Sequence, residues 1–288
     1  MKKEECKLNA KFGPGGNSDA FKLAGYTSTI DAPKWLSSIG LDAYEYEAGN
    51  GLAAGPATLA EIGRQASEHG IHMSYHTPYF ISLSGVVEEK RLKSIEYIRQ
   101  SIEAARLLGA RTIVVHCGSC AKISRDDAMR LAADTLVRTA SSVETYGIKI
   151  GIETMGKINQ LGTLDEVLEL CRIDSVFVPV VDFGHLNARD LGGVFKTPDD
   201  YLRVFDKIAK RTDSYIAEKL HCHFSKIEYT SAGEKKHLTF DDTEFGPAYE
   251  PFVEAIVKGG LSPTVICESA GTQSRDAMLM KSLYKSLV

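Results

Sequence analysis

The stretch that decides the fold is "VVDFGHLNARD", residues Val180 to Asp190, in which an apolar run ends at a carboxylate and an imidazole. The β-branched residues of this run predict a buried strand. Taken alone, Asp182 is typical of a helix cap and His185 of a hydrogen-bonded core histidine. Other apolar runs of the chain end in the same residue types, so the strand ends require a common explanation.

Short apolar runs alternate with longer amphipathic segments along the whole chain. The predicted strands lie within Asn9–Pro14, Leu41–Glu47, Ile71–Pro78, Arg111–Gly118, Ile148–Thr154, Val176–Gly184, Lys219–Lys226 and Pro263–Ser269. Repeated strand–helix units of this number predict an α/β fold, a single (β/α)₈ TIM barrel spanning residues 1–288, with its active site at the C-terminal rim of the strands. The rival, an open doubly wound sheet, normally carries a G-x-G-x-x-G turn after its first strand, and "FGPGGNSDA" does not match it.

Helix signals fill the intervals between these runs. Capping residues, first-turn acids, first-turn prolines and closing glycines predict helices over Ala57–Gly70, Glu88–Ala110, Ser124–Gly147, Thr197–Arg211, Phe245–Gly260 and Ser274–Leu287.

The composition is that of an ordinary soluble protein. With 43% hydrophobic residues, 25% charged residues and a net charge of -4, the chain lacks the basic field that many nucleic-acid-binding proteins carry over the whole molecule. The six cysteines are too scattered for a disulfide framework, although Cys117 and Cys120 have the spacing of a redox pair. The opening "MKKEECKLNAKFG" lacks the apolar segment of a signal peptide, and no run is long enough to span a membrane. We therefore expect a cytoplasmic protein with no membrane partner.

Six of the eight histidines lie at strand ends or in the loop that follows, and three acidic residues occupy matching places. These residues are His76, His116, His185, His221, His223 and His237, together with Glu153, Asp182 and Glu268. In a barrel the strand ends converge on one rim, so residues far apart in sequence meet in space. Neutral imidazole and carboxylate together bind zinc or related ions, and a cluster of this size predicts more than one ion. Between the histidines of one strand, Cys222 points to the opposite face.

The motifs "YHTPYFISL", "VVHCGS", "IGIET", "VVDFGH", "LHCHFSK" and "ICES" follow one another in the order seen in the endonuclease IV family of apurinic/apyrimidinic endonucleases, which the chain resembles over nearly its whole length. That family belongs to the xylose-isomerase-like barrel superfamily. The resemblance implies a zinc-dependent phosphodiester hydrolase that cuts double-stranded DNA 5′ to abasic sites, through a hydroxide that bridges two ions.

The resemblance also assigns residues. It implies that His76 and His116 bind one zinc, that Glu153 bridges it to a second held by Asp182, His221 and Glu268, and that His185 and His237 bind a third. Glu153 would then be the residue most critical for catalysis. Tyr79 and Phe80 match the position from which the family inserts side chains into DNA, although ordinary loop packing explains them equally well.

The chain departs from the family pattern at four points. Lys235 takes the place of an aspartate that binds the third zinc in the family, with Glu234 next to it as a substitute ligand. His223 replaces an asparagine and is either a further ligand or a phosphate contact, and Phe224 replaces an aspartate. The family's intercalating arginine has no counterpart in "EYEAGNGLAAG".

Two other function classes stay open at this point. A sugar isomerase or epimerase of the same superfamily binds one divalent ion through Glu, Asp, His and Glu, for which Glu153, Asp182, His221 and Glu268 suffice. A barrel that has lost catalysis and only binds a ligand is the other. Because the remaining histidines are superfluous for one ion, the sequence favours a hydrolase with two or three zinc ions, in which manganese could replace zinc. We expect it to act as a monomer.

Overall fold

The computed structural model describes residues 9–288, so Cys6 and the start of the opening stretch lie outside the described part. Eight of its strands are β1 Lys11–Pro14, β2 Ala43–Glu47, β3 His72–His76, β4 Thr112–His116, β5 Lys149–Glu153, β6 Phe177–Asp182, β7 His221–Phe224 and β10 Thr264–Cys267. They form one parallel sheet in the order β1-β10-β7-β6-β5-β4-β3-β2. Each lies within a run that the sequence predicts as a strand.

The first and second strands close the sheet into a barrel. The backbone N–H of Gly16 donates to the carbonyl of Glu45 at 3.0 Å, and that of Asp42 donates to the carbonyl of Phe12 at 3.0 Å. This close approach requires Gly13, since a Cβ atom there would lie 1.7 Å from the carbonyl oxygen of Ala43. The predicted (β/α)₈ barrel is thus confirmed.

Helices connect the strands and cover the outside of the barrel. They are α1 Asp19–Leu23, α2 Ala32–Ser38, α3 Pro56–His69, α4 Glu88–Leu108, α5 Arg125–Ser142, α6 Leu164–Leu170, α7 Phe183–Arg189, α8 Pro198–Arg211, α9 Ser214–Glu218, α10 Glu250–Lys258 and α11 Gln273–Leu287. None of the helices within residues 9–288 has the length and apolar character needed to cross a membrane.

Two predicted helix boundaries are wrong for local reasons. Helix α5 begins as predicted after Ser124, whose side chain accepts from the backbone N–H of Asp127, but it ends at Ser142 because Val143 is extended. Gly147, with φ of 80°, closes the turn before β5 and not the helix. Helix α10 begins at Glu250, five residues later than predicted, with a proline in its first turn.

A hairpin that the sequence analysis did not predict lies between β7 and α10. Its strands are β8 Lys226–Thr230 and β9 Gly233–Leu238. The hairpin lies over the rim, where the backbone N–H of Glu234 donates to the carbonyl of Gly156 at 3.1 Å. It therefore brings a further segment of chain to the ends of β5 and β6.

Candidate metal centre

A cleft of about 810 Å³ opens at the C-terminal ends of the barrel strands. Its lining includes Glu47, His76, Tyr79, His116, Glu153, Lys157, His185, Glu234, His237 and Glu268. Most of the histidines and acids predicted for the site therefore share one cleft. Three overlapping groups of these side chains, and two further sets that contain Glu45, each bring one potential ligand atom per residue within 4.8 Å of the others.

The first group consists of His76, His116 and Glu153, at the ends of β3, β4 and β5. The carboxylate Oε2 of Glu153 lies 3.1 Å from Nε2 of His116 and 3.6 Å from Nε2 of His76. The side chain of Glu153 is 1% exposed, so its charge is neutralised by protein groups or by a bound cation, not by water.

The second group consists of Glu153, Asp182, His223 and Glu268. Nδ1 of His223 lies 3.1 Å from Oε1 of Glu153 and 3.3 Å from Oε1 of Glu268. Glu153 belongs to both groups, the bridging position that the resemblance implies. The histidine of this group is His223, however, and not His221.

His221 lies in a different group. Its Nε2 is 2.9 Å from Oε2 of Glu45, a buried acid of β2 that the sequence analysis did not single out. Glu45, His221 and His223 form a further set of potential ligands beside the second group. Because β-strand alternation puts both histidines on one face, the sequence alone does not decide which of them faces Asp182 and Glu268.

The third group consists of His185, Glu234 and His237. Nε2 of His185 lies 3.4 Å from Oε2 of Glu234, and the two imidazole rings are 5.4 Å apart between centroids. Lys235 points away and pairs with Glu228. Lys235 aligns with the aspartate that binds the third zinc in the endonuclease IV family, but Glu234 is the residue that faces His185. Glu234 therefore supplies the only carboxylate of the third group.

Three of the histidines are held by neutral oxygens. Nδ1 of His76 lies 2.9 Å from the carbonyl of Thr77, and Nδ1 of His185 lies 2.9 Å from the carbonyl of Thr154. Nδ1 of His237 lies 2.9 Å from Oγ of Ser225. Since a carbonyl only accepts, Nδ1 of His76 and of His185 carries a proton, and Nε2 of each is the nitrogen that would bind a cation once it is unprotonated.

Divalent cations fit these groups because several buried carboxylate oxygens have no hydrogen-bond partner. Oε2 of Glu153, Oδ2 of Asp182 and Oε2 of Glu234 are buried in this state, one or more in every group. Buried polar atoms are rarely left unpaired in folded proteins, and carboxylate together with imidazole is the ligand set of zinc and related ions.

Without a bound cation, the carboxylates and imidazoles of these groups shift one another's pKa values. Burial alone disfavours the charged forms, but the imidazoles of His223, His116 and His185 hold the pKa of Glu153 well below its usual range. Burial also opposes protonation of His76, yet the carboxylates of Glu47 and Glu153 outweigh it and raise the pKa of His76 to about 10. Burial raises the pKa of Glu47 to about 7.

The two aromatic residues predicted to contact DNA lie in different surroundings. Tyr79 lines the cleft, and its ring contacts those of His116 and His76 at centroid distances of 5.6 Å and 5.3 Å. Phe80 packs edge-on against Tyr97 at 4.7 Å. Both are more than half exposed, Tyr79 by 57% and Phe80 by 52%.

The structure gives no support for a redox pair at Cys117 and Cys120. Cys117 and Cys120 are free, and the thiol of Cys117 is buried, lying 3.3 Å from the carbonyl of Glu153. Burial raises the pKa of Cys117 well above its usual range, which disfavours the reactive thiolate.

Comparisons with known proteins agree with the barrel and give neighbours of two kinds. An uncharacterised protein of Methanocaldococcus jannaschii is 29% identical over 258 residues, covering 88% of this chain and 90% of its own. A probable endonuclease 4 of Acholeplasma laidlawii is 28% identical over 184 residues, 62% of each chain.

Solved structures with the same fold include epimerases and endonucleases. A D-tagatose 3-epimerase-like protein superposes with a TM-score of 0.68 at 20% identity, covering 96% of both chains. Endonuclease IV from Thermus thermophilus superposes with a TM-score of 0.65 at 16% identity, covering 96% of this chain and 98% of its own. Residues 33–283 match the family described as xylose isomerase-like TIM barrel. The chain belongs to the xylose isomerase-like TIM barrel family.

Proposed function

We propose that this protein is a divalent-metal-dependent phosphodiester hydrolase that cleaves double-stranded DNA on the 5′ side of abasic sites. The observation that supports this proposal best is the third group, in which His185, Glu234 and His237 stand beside the first two groups at the same cleft. A centre with three sets of ligands suits a phosphoryl-transfer reaction, where charge develops on several oxygens at once.

The proposed ligands follow from the groups. His76, His116 and Glu153 would hold one ion, Glu153, Asp182, His223 and Glu268 a second, and His185, Glu234 and His237 a third. Zinc is the proposed ion, with manganese as the alternative. Bound there, the ions would supply an activated water and neutralise phosphate charge.

The chain's own residues would bind and orient the substrate around that centre. Lys157 lines the cleft, and its backbone carbonyl is held by Arg189 at 2.9 Å, so the loop that carries it is fixed. Tyr79 stands half exposed at the mouth, where its ring can stack on a base or fill the gap at an abasic site. Loss of a base would open the duplex for this contact.

A sugar epimerase is the second candidate, and a specific observation favours it. The second group alone provides two glutamates, an aspartate and a histidine, the set that a one-ion epimerase requires. Glu47 also lines the cleft, and a carboxylate there would repel a phosphate backbone unless a cation intervenes. The predicted monomeric state and cytoplasmic location stay predictions under either function.

Parallel assays of one zinc-loaded preparation separate the two candidates. A duplex with a single abasic site tests the hydrolase, and a panel of ketoses followed for epimer formation tests the epimerase. We expect incision 5′ to the abasic site and unchanged ketoses. Epimer formation without incision would overturn the proposal.

A further inference from the structure

His223 differs from His76, His185 and His237 in what its second ring nitrogen contacts. Nδ1 of each of those three histidines lies 2.9 Å from a neutral oxygen. Nε2 of His223 instead lies 2.8 Å from Oε1 of Glu45, a carboxylate. The side chains of His223 and Glu45 are both 0% exposed, so no water shares this contact.

Glu45 uses both of its oxygens on the two histidines of β7. While Oε1 faces His223, Oε2 lies 2.9 Å from Nε2 of His221. Among residues 9–288 no lysine or arginine forms an ion pair with Glu45. The carboxylate is therefore fixed between two imidazoles and cannot rotate without breaking one of the contacts.

In the ligand-free protein both ring nitrogens of His223 face carboxylates, because Nδ1 lies 3.1 Å from Oε1 of Glu153 and 3.3 Å from Oε1 of Glu268. A cation in the second group would bind the unprotonated Nδ1, so the ring proton would then be on Nε2, which faces Glu45. A carboxylate on the far nitrogen of a metal-binding histidine fixes its tautomer and increases its basicity.

We propose that Glu45 is a positioning residue that directs Nδ1 of His223 toward the second group, and that His221 anchors Glu45 and is not itself a ligand. The inference rests on the proposed function only in requiring a divalent ion at the second group. It does not depend on whether the substrate is DNA or a sugar.

The test is the zinc affinity of the Glu45→Gln variant, measured by chelator competition on metal-free protein. An amide cannot accept from both imidazoles, so we expect one class of zinc to bind about 10- to 100-fold more weakly while the remaining ions bind as before. His223→Gln should abolish that class of site, and His221→Gln should weaken it to the extent that Glu45→Gln does. The matched control is Asp276→Asn, which alters another fully buried carboxylate, one that accepts from the backbone of Phe240. It should leave zinc affinity unchanged.

A second readout separates positioning from loss of structure. Proton–nitrogen correlation spectra of the zinc-loaded wild-type protein should show the ring proton of His223 on Nε2, and Glu45→Gln should give mixed tautomers. Wild-type zinc affinity in folded Glu45→Gln, or zinc bound through Nε2 of His223 in the wild-type protein, would overturn the inference. If Glu45→Gln does not fold, the wild-type spectrum decides alone. Failure to cleave abasic DNA would contradict the proposed function, but it would not alter the zinc affinities or the position of the ring proton of His223.

Discussion

Asp182 and His185 are joined by a hydrogen bond in which Oδ1 of the aspartate accepts from the backbone N–H of the histidine at 2.7 Å. The aspartate thereby caps helix α7. Its other oxygen, Oδ2, is buried without a hydrogen-bond partner and belongs to the second group, while the ring of His185 belongs to the third. One strand-to-helix turn thus places residues of two ligand groups side by side. The side chain of Asp182 both caps the helix and contributes to the site.

Glu153→Gln should abolish turnover and leave the barrel folded. The change removes the negative charge that the first and second groups share, while the amide keeps the shape of the side chain. We expect the rate of incision of an abasic duplex to fall by more than about 100-fold. Loss of a residue that only hydrogen-bonds a metal ligand typically costs about 10- to 100-fold, and Glu153 is proposed as a ligand itself. Incision rates and thermal unfolding of the same preparation measure this, and full activity in the folded variant would refute the shared role.

Glu234→Gln should remove one ion from the centre, and Lys235→Gln should remove none. Glu234 faces His185 within the third group, whereas Lys235 pairs with Glu228 on the exposed side of the hairpin. Elemental analysis of both variants after dialysis against limiting zinc provides the comparison. Equal zinc content in the two would show that Glu234 does not serve as a ligand.

Zinc binding should release protons at neutral pH and tighten as the pH rises. The pKa of His76 lies at about 10 in the ligand-free protein, so this imidazole is protonated at pH 7 and must lose its proton to bind a cation. Affinity should increase about tenfold per pH unit for each proton released, and the increase should fade as the pH passes that pKa. Calorimetric titration in buffers of different ionisation enthalpy counts the protons. Zero protons released at pH 7 would contradict the charged network described here.

Lys157→Gln should weaken binding of an abasic duplex and reduce the slope of log affinity against log salt by about 1. Lys157 lines the cleft, and its ammonium group has no ion-pair or hydrogen-bond partner within residues 9–288. Lys285→Gln, in the last turn of α11, is the control. Filter binding over a range of salt concentrations measures both slopes, and an unchanged slope for Lys157→Gln would exclude a phosphate contact there.

The strands and the location of the site follow from sequence pattern, whereas the grouping of the ligands does not. Each barrel strand lies within a predicted run because β-branched stretches bounded by turns leave few alternatives. The resemblance implies His221 as the histidine of the second group, whereas the structure places His223 there. Periodicity cannot separate residues i and i+2 of one strand, because both face the barrel interior.

Glu45 and Glu234 show what else the sequence could not reveal. Glu45 lies in "LDAYEYE", a run without histidine, and only the folded barrel brings it to β7. Glu234 belongs to a hairpin whose strands are polar and partly exposed, so the hairpin has no hydrophobic alternation by which it could be predicted. Both acids reach the site only through tertiary contacts between segments that are distant in sequence.

The most direct test of the three-group centre is anomalous diffraction at the zinc absorption edge from zinc-loaded crystals. The account predicts separate peaks beside His116, Asp182 and His237, with Glu153 between the first two. A single peak beside Asp182 and Glu268, with none at the first and third groups under saturating zinc, would contradict it and favour a one-ion epimerase.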